Sequence, residues 1–187
     1  MTFSAVMITD GGPGDEALSH FEAARRFSDS LGGGRWHPVS SLPYRYYTGV
    51  ALEMIGDHEA AGDVFTKVAA ASADTWSLMF LPSLPYYQAL ALRKLDQETV
   101  ARQKLEEFGA FVAAKVEGGF ATSRPNVLPF RDDPEKLTRV EYTYLAGLAH
   151  LGLGRFDEAR RAFEDVLALD VNHLGAQAEL RWLVIPG

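Results

Sequence analysis

The 187-residue sequence contains no cysteine, which excludes a disulfide framework, a thiolate zinc site and a cysteine nucleophile together. It has no apolar run near the roughly 18 residues that a membrane-spanning helix needs. Lys and Arg form no basic stripe and the net charge is −7. Nucleic-acid binding is therefore not expected, because phosphate contacts require a basic surface. The N-terminus also lacks the features of a signal peptide, so we expect a cytoplasmic protein with no membrane or nucleic-acid partner.

Patterns typical of catalysis or metal binding are equally sparse. The five histidines share no spacing typical of metal ligands: His20, His37, His58, His150 and His173. The glycines 32–34 follow no predicted strand and precede no Lys-Ser or Lys-Thr pair, so they do not predict a phosphate-binding loop. His150 occupies a helix-core position, where a packed and hydrogen-bonded histidine is expected. We predict that the chain is not an enzyme and holds no cofactor or metal.

What the sequence does contain is one spacing that recurs four times. A small residue is followed after twelve residues by a second small one, after four more by a large apolar residue and after three more by another apolar one. The copies are Gly147, Ala159, Phe163 and Val166; Gly49, Ala61, Phe65 and Val68; Ala89, Ala101, Leu105 and Phe108; and Ala5, Ala17, Phe21 and Ala24. Seven residues after each first small residue stands a turn-compatible one, at Gly12, Gly56, Asp96 and Gly154.

This spacing predicts pairs of helices, A and B, joined by a short turn. The first small residue allows helix A to approach helix B closely. The second small residue and the large apolar residue four positions later lie on one face of helix B, because residues i and i+4 are neighbours on a helix. The pattern resembles the G-x2-Y…A-x3-F core of the tetratricopeptide (TPR) signature, with Leu52, Leu92 and His150 at the tyrosine position. A generic helical bundle, the alternative, has no reason to repeat these intervals. We therefore predict an all-α, TPR-like superhelix, a right-handed solenoid.

The predicted organisation is a single helical repeat domain over residues 1–187. Its parts are a partial repeat at 1–30, repeats at 43–71, 83–116 and 135–170, and a C-terminal cap at 172–185. The predicted helices are Asp15–Ser28, Tyr44–Ile55, His58–Ala71, Pro85–Leu95, Gln97–Val116, Glu135–Leu153, Phe156–Leu169 and Leu174–Leu183. The intervals from Gly49 to Ala89 and from Ala89 to Gly147 are 40 and 58 residues, longer than the TPR period of about 34.

Several segments together resemble a more particular family arrangement. They are LGGGRWHP, SLPYRYYTGVALEMIGD, LPYYQALALRKLDQE, FATSRPNVLPFRDD and the stretch from YLAGLAHLG to DVNHLGA. They are similar to the C-terminal TPR region of large bacterial proteins whose N-terminal part is an uncharacterised β-rich domain like those of carbohydrate enzymes. The resemblance implies an accessory or assembly role and transfers no catalytic residue.

Helix A supplies the candidate binding residues. Tyr46, Tyr86 and Tyr144 each lie three residues before the first small residue, and in a TPR array helix A lines the concave groove where ligands bind. Tyrosine suits such a surface because it offers apolar area and a hydroxyl. The candidate groove residues are Tyr46, Val50, Glu53, Tyr86, Leu90, Arg93, Lys94, Tyr144 and Leu148. The alternative is that the tyrosines only pack between adjacent helices.

Three functional hypotheses follow. The leading one is a scaffold for protein–protein interaction that binds a peptide or partner surface in this groove. The second is a structural arm for homo-oligomerisation, or for docking to a β-rich carbohydrate-active domain, through an exposed core edge formed by Phe3, Val6, Phe21 and Phe27. The third is carbohydrate or small-ligand binding near Trp36, Trp76 and the loop Ala121–Phe130, on the family analogy alone.

Overall fold

The structure, a computed structural model, describes residues 14, 18–21, 41–74, 77–78, 81–117 and 133–184. Within these ranges the chain forms seven long helices and no strand. They are α1 (Leu42–Met54), α2 (His58–Ala69), α3 (Leu84–Lys94), α4 (Glu98–Glu117), α5 (Pro134–Gly152), α6 (Phe156–Leu169) and α7 (Leu174–Val184). Residues 18–21 are also helical. Each of the seven begins and ends within two residues of its predicted boundary.

The chain divides into two compact units. The described residues up to Ala101 form one, called the N-unit below, and those from Arg102 onwards form the other, the C-unit. The division falls near the start of α4, so the N-unit contains α1–α3 and the C-unit contains most of α4 with α5–α7. The single domain over 1–187 and its repeat boundaries stay a prediction.

The turn between helix A and helix B has the same hydrogen bonds in all three described pairs. The backbone N–H groups of Asp57, Gln97 and Arg155 donate to the carbonyls of Leu52, Leu92 and His150, each at 2.9 Å. The residue before each of these donors has a positive φ: Gly56 at 85°, Asp96 at 58° and Gly154 at 74°. These are the features of a Schellman motif, in which a left-handed residue ends the helix. Three of the four turn residues that the spacing predicts therefore reverse the chain in the same way, and the fourth, Gly12, lies outside the described residues.

Asp96 is the strained member of this set, because a left-handed conformation costs a residue with a Cβ more than it costs glycine. We expect Asp96→Gly to stabilise the protein by up to about 1 kcal/mol, since the fold no longer imposes that cost. Urea unfolding followed by circular dichroism measures the change. A loss of stability in Asp96→Gly would contradict this account of the turn, and Gly154→Ala is the matched reverse substitution, expected to destabilise.

In two of the described pairs, α1–α2 and α5–α6, the first small residue of helix A lies against the large apolar residue of helix B. A Cβ added at Gly49 would lie 2.6 Å from Cε1 of Phe65, and one at Gly147 would lie 2.7 Å from Cδ1 of Phe163. Both rings are fully buried. All other described members of the predicted repeat core are buried as well: Phe21, Ala61, Ala89, Ala101, Leu105 and Ala159. Ala17 lies outside the described residues.

The helices pack in the same order in both units. In the N-unit α2 packs against α1 and α3, and α1 also contacts α3; in the C-unit α6 packs against α5 and α7.

The last helix, α7, differs from the other A helices at one position. Arg181 of α7 lies 34 residues after Gly147, one TPR period on, and its side chain is exposed. A long charged residue thus occupies the position that is small in α1, α3 and α5.

Candidate functional site

The aligned helix-A tyrosines do not form an exposed row. Tyr46 and Tyr86 are 7% and 1% exposed, so a partner bound to this surface does not reach their rings. Tyr144 is half-buried. The structure therefore favours, for Tyr46 and Tyr86, the alternative in which they pack between helices, and their assignment to the partner-facing surface is corrected.

In the N-unit these tyrosines belong to an aromatic cluster. Neighbouring ring centroids lie 5.1–6.2 Å apart in tilted, edge or stacked arrangements. Such arrangements add stability beyond the buried area because of the ring quadrupoles. The members are Phe21, Tyr46, Tyr47, Phe65, Tyr86 and Tyr87. The buried Phe21, stacked on Tyr47, is part of this core, which corrects the prediction that it forms an exposed edge.

Burial also sets the ionisation of Tyr46. Removal from water raises the pKa of its hydroxyl, and the nearby Glu53 and Tyr87 raise it further. The hydroxyl therefore keeps its proton near neutral pH and in mild alkali. Tyr46 is a neutral core residue and offers no acid or base chemistry near neutral pH.

Five of the predicted groove residues do reach the surface of the N-unit. Val50 of α1 and Leu90 of α3 are half-buried and pack on the edge of the core. Each directly follows the first small residue of its repeat, Gly49 or Ala89. Glu53, Arg93 and Lys94 lie on the same two helices and are at least partly exposed. We call these five residues, Val50, Glu53, Leu90, Arg93 and Lys94, the helix-A surface.

The charges of this surface are paired. The Lys94 ammonium forms an ion pair with the Glu53 carboxylate, which joins α3 to α1. The Arg93 guanidinium donates from Nε and Nη2 to the Glu98 carboxylate, at 2.9 and 3.0 Å. Exposed pairs of this kind add little stability, yet they neutralise the surface. The two apolar side chains are thus flanked by charges that already have partners.

In the C-unit the corresponding positions are more covered. Leu148 is buried, so it contacts the core and not a partner. Tyr144 packs against Phe163 and His173, with ring centroids 5.7 and 4.6 Å away. Burial and the positive Arg155 lower the pKa of His150. The buried Nδ1 of His150 has no hydrogen-bond partner among the described residues, which corrects the prediction of a hydrogen-bonded histidine at that atom.

Several predicted residues lie outside the described ranges: Trp36, Trp76, Phe3, Val6, Phe27 and the loop Ala121–Phe130. Within those ranges, no group of three or more His, Cys, Asp or Glu side chains is arranged to hold a metal ion. Likewise, none of the helices that the structure describes combines the length and apolar character needed to cross a membrane.

Sequence reasoning missed two positioning residues. Gln88 is buried, and its Nε2 donates to the carbonyls of Ala69 and Ala71 at the end of α2. His173 precedes α7, and its Nδ1 accepts the backbone N–H of Ala176 at 3.1 Å. The predicted start of α7 at Leu174 could have indicated His173 as an N-cap, but the usual N-cap residues are Ser, Thr, Asp and Asn.

One comparison with known protein families agrees with this geometry. Residues 140–173, which contain α6 and most of α5, match the family model of the tetratricopeptide repeat. This segment is similar to a TPR. No curated protein is a significant match to the chain. A solved structure, MamA 41-end from Desulfovibrio magneticus RS-1, is 21% identical over 92% of this chain and 75% of that chain, with a TM-score of 0.30, a value too low to carry any argument.

The predicted fold class is confirmed: the described chain is all-α, and it is built of TPR-like helix pairs. The TPR is a repeat whose stacked helix pairs serve in general as surfaces for protein partners. TPR proteins are typically scaffolds without catalytic activity. The β-rich domain implied by the family resemblance stays a prediction.

Proposed function

We propose that this chain is a non-enzymatic scaffold that binds a peptide or a protein partner on the helix-A surface. One observation carries the proposal: Val50 and Leu90 are partly exposed at equivalent positions of two neighbouring repeats, on helices in contact with each other. Repeat proteins bind partners through such serial positions, because stacking places equivalent side chains in a row. The similarity of residues 140–173 to a TPR supports the same role.

The chemistry of the surface indicates what kind of segment it accepts. Its centre is apolar, and the ion pairs Lys94–Glu53 and Arg93–Glu98 compensate every charge among the five residues of the helix-A surface. A strongly acidic or basic peptide would have to displace these internal pairs. We therefore propose a partner segment that presents apolar side chains to Val50 and Leu90 and uncharged polar groups to the rim.

The substitution Leu90→Glu tests the proposal. We expect it to weaken partner binding about tenfold or more, because it places a charge in the apolar centre of the interface. The partner is first identified by crosslinking with the wild-type chain. Its dissociation constant is then measured by calorimetry for the wild type and for each variant.

Lys67→Glu on α2 provides the control, since it introduces the same side chain at an exposed position on helix B of the same unit. We expect it to bind like the wild type. Equal binding by Leu90→Glu and Lys67→Glu, with helicity unchanged in both, would exclude the helix-A surface as the binding site.

A further inference from the structure

The C-terminal helix begins at an unusual cap. His173 is the N-cap of α7, and its ring nitrogen Nδ1 accepts the N–H of Ala176, three residues on. Ser, Thr, Asp and Asn normally provide this acceptor. Their side-chain oxygens remain hydrogen-bond acceptors near neutral pH, because none of them takes up a proton there. The backbone carbonyl of His173 also accepts from Gln177 at 3.1 Å. The first turn of α7 therefore depends on an acceptor that can titrate.

The surroundings of His173 favour the neutral ring. Burial, the largest effect, lowers its pKa, while the nearby Asp170 carboxylate and a hydrogen bond to the backbone of His173 itself act in the opposite direction. From α5 the ring faces Tyr144, an aromatic group 4.6 Å away that is uncharged near neutral pH. From the end of α6 the charged group is Asp170, whose carboxylate also accepts the N–H of Asn172 at 3.1 Å. A positive ring would in addition meet the positive end of the α7 dipole.

Protonation has a defined structural consequence. With Nδ1 occupied by a proton, both ring nitrogens are donors, and the N–H of Ala176 then faces another donor. The first turn of α7 also contacts Tyr144, because a Cβ at Gly175 would lie 2.7 Å from the Tyr144 hydroxyl oxygen. We propose that His173 is a pH-sensitive switch: its protonation breaks the cap bond to Ala176, opens the first turn of α7 and uncovers the ring of Tyr144.

The direction with pH follows from the lowered pKa of His173. The stabilisation by the neutral ring is complete above the unfolded-state pKa of about 6.5 and is lost as the pH falls through the lower pKa of the folded state. The switch thus closes the turn near neutral pH and opens it at acidic pH, below the ordinary pKa of histidine. This inference does not depend on the helix-A surface, which lies in the other unit.

Hydrogen exchange on the full chain tests the switch. The probe is the protection of the Ala176 amide relative to its intrinsic rate at each pH, measured by NMR at about pH 7.5 and about pH 5. We expect the wild type to lose protection about fivefold or more on acidification, which is the loss of one N-cap. His173→Asn retains a capping oxygen that does not titrate, and we expect it to keep its protection at both pH values.

His58→Asn is the matched control, because His58 is exposed and lies at the start of α2; we expect it to show the wild-type response. A wild-type chain with equal protection at both pH values would overturn the proposal. So would a His173→Asn chain that loses protection like the wild type. Long-range ¹H–¹⁵N spectra give a second readout: an Nδ1 that carries a proton at about pH 7.5 would also overturn it.

Discussion

Phe163→Ala is expected to destabilise the protein by about 3–5 kcal/mol, because it leaves a ring-sized cavity in the core of the C-unit. The ring is fully buried, lies against Gly147 and packs against Tyr144. The total free energy of unfolding of a native domain is only about 5–15 kcal/mol, so this substitution removes a large part of it. Urea unfolding followed by circular dichroism gives the change in free energy.

The same helix provides the control for this substitution. Phe156 begins α6 and is 58% exposed, so we expect Phe156→Ala to change stability by less than about 0.5 kcal/mol. Losses of similar size in both variants would mean that Phe163 does not form the contact between helices A and B. The comparison separates the loss of the buried Phe163 contact from the general effect on stability of removing a phenylalanine from α6.

Gly147→Ala has the second largest expected effect, a net loss of about 1–3 kcal/mol from overpacking. Alanine normally favours a helix over glycine by about 1 kcal/mol. Here its methyl group would meet the Phe163 ring well inside van der Waals distance, and the buried ring has no solvent side to move to. Thermal and urea unfolding of the variant measure the net change.

Gly62→Ala is the matched control for Gly147→Ala. Gly62 lies within α2, and a Cβ there would meet nothing within 4 Å. We expect this variant to gain about 0.5–1 kcal/mol from helix propensity alone. A double variant, Gly147→Ala with Phe163→Leu, is expected to lose less than the sum of its single changes, because the two side chains share one space. Additive losses would contradict the direct contact.

The repeat spacing predicted the fold well, for reasons that lie in local geometry. Helix ends follow from the turn residues Gly56, Asp96 and Gly154, which adopt positive φ, and the helix pairs follow from the recurring small residues. These features depend on neighbours within one repeat. A single sequence displays them directly.

The candidate site was predicted less well, because the exposure of a helix face depends on what packs against it. Tyr46 lies three residues before Gly49, and residues i and i+3 share a helix face. Since Gly49 faces Phe65, this rule already directs Tyr46 towards the core. The rule could have been applied to the sequence. The burial of Leu148, by contrast, depends on tertiary packing, which the spacing of residues in the sequence does not reveal.

Arg181 has a consequence for anyone who redesigns this chain. An additional helix grafted after α7 would bring a large apolar side chain towards the position that glycine holds in α1 and α5. The long side chain of Arg181 would prevent that close approach. Its guanidinium would also be buried under the new helix without a partner, which costs free energy. Lengthening the protein by modular design therefore requires Arg181→Gly or Arg181→Ala before any further repeat is appended.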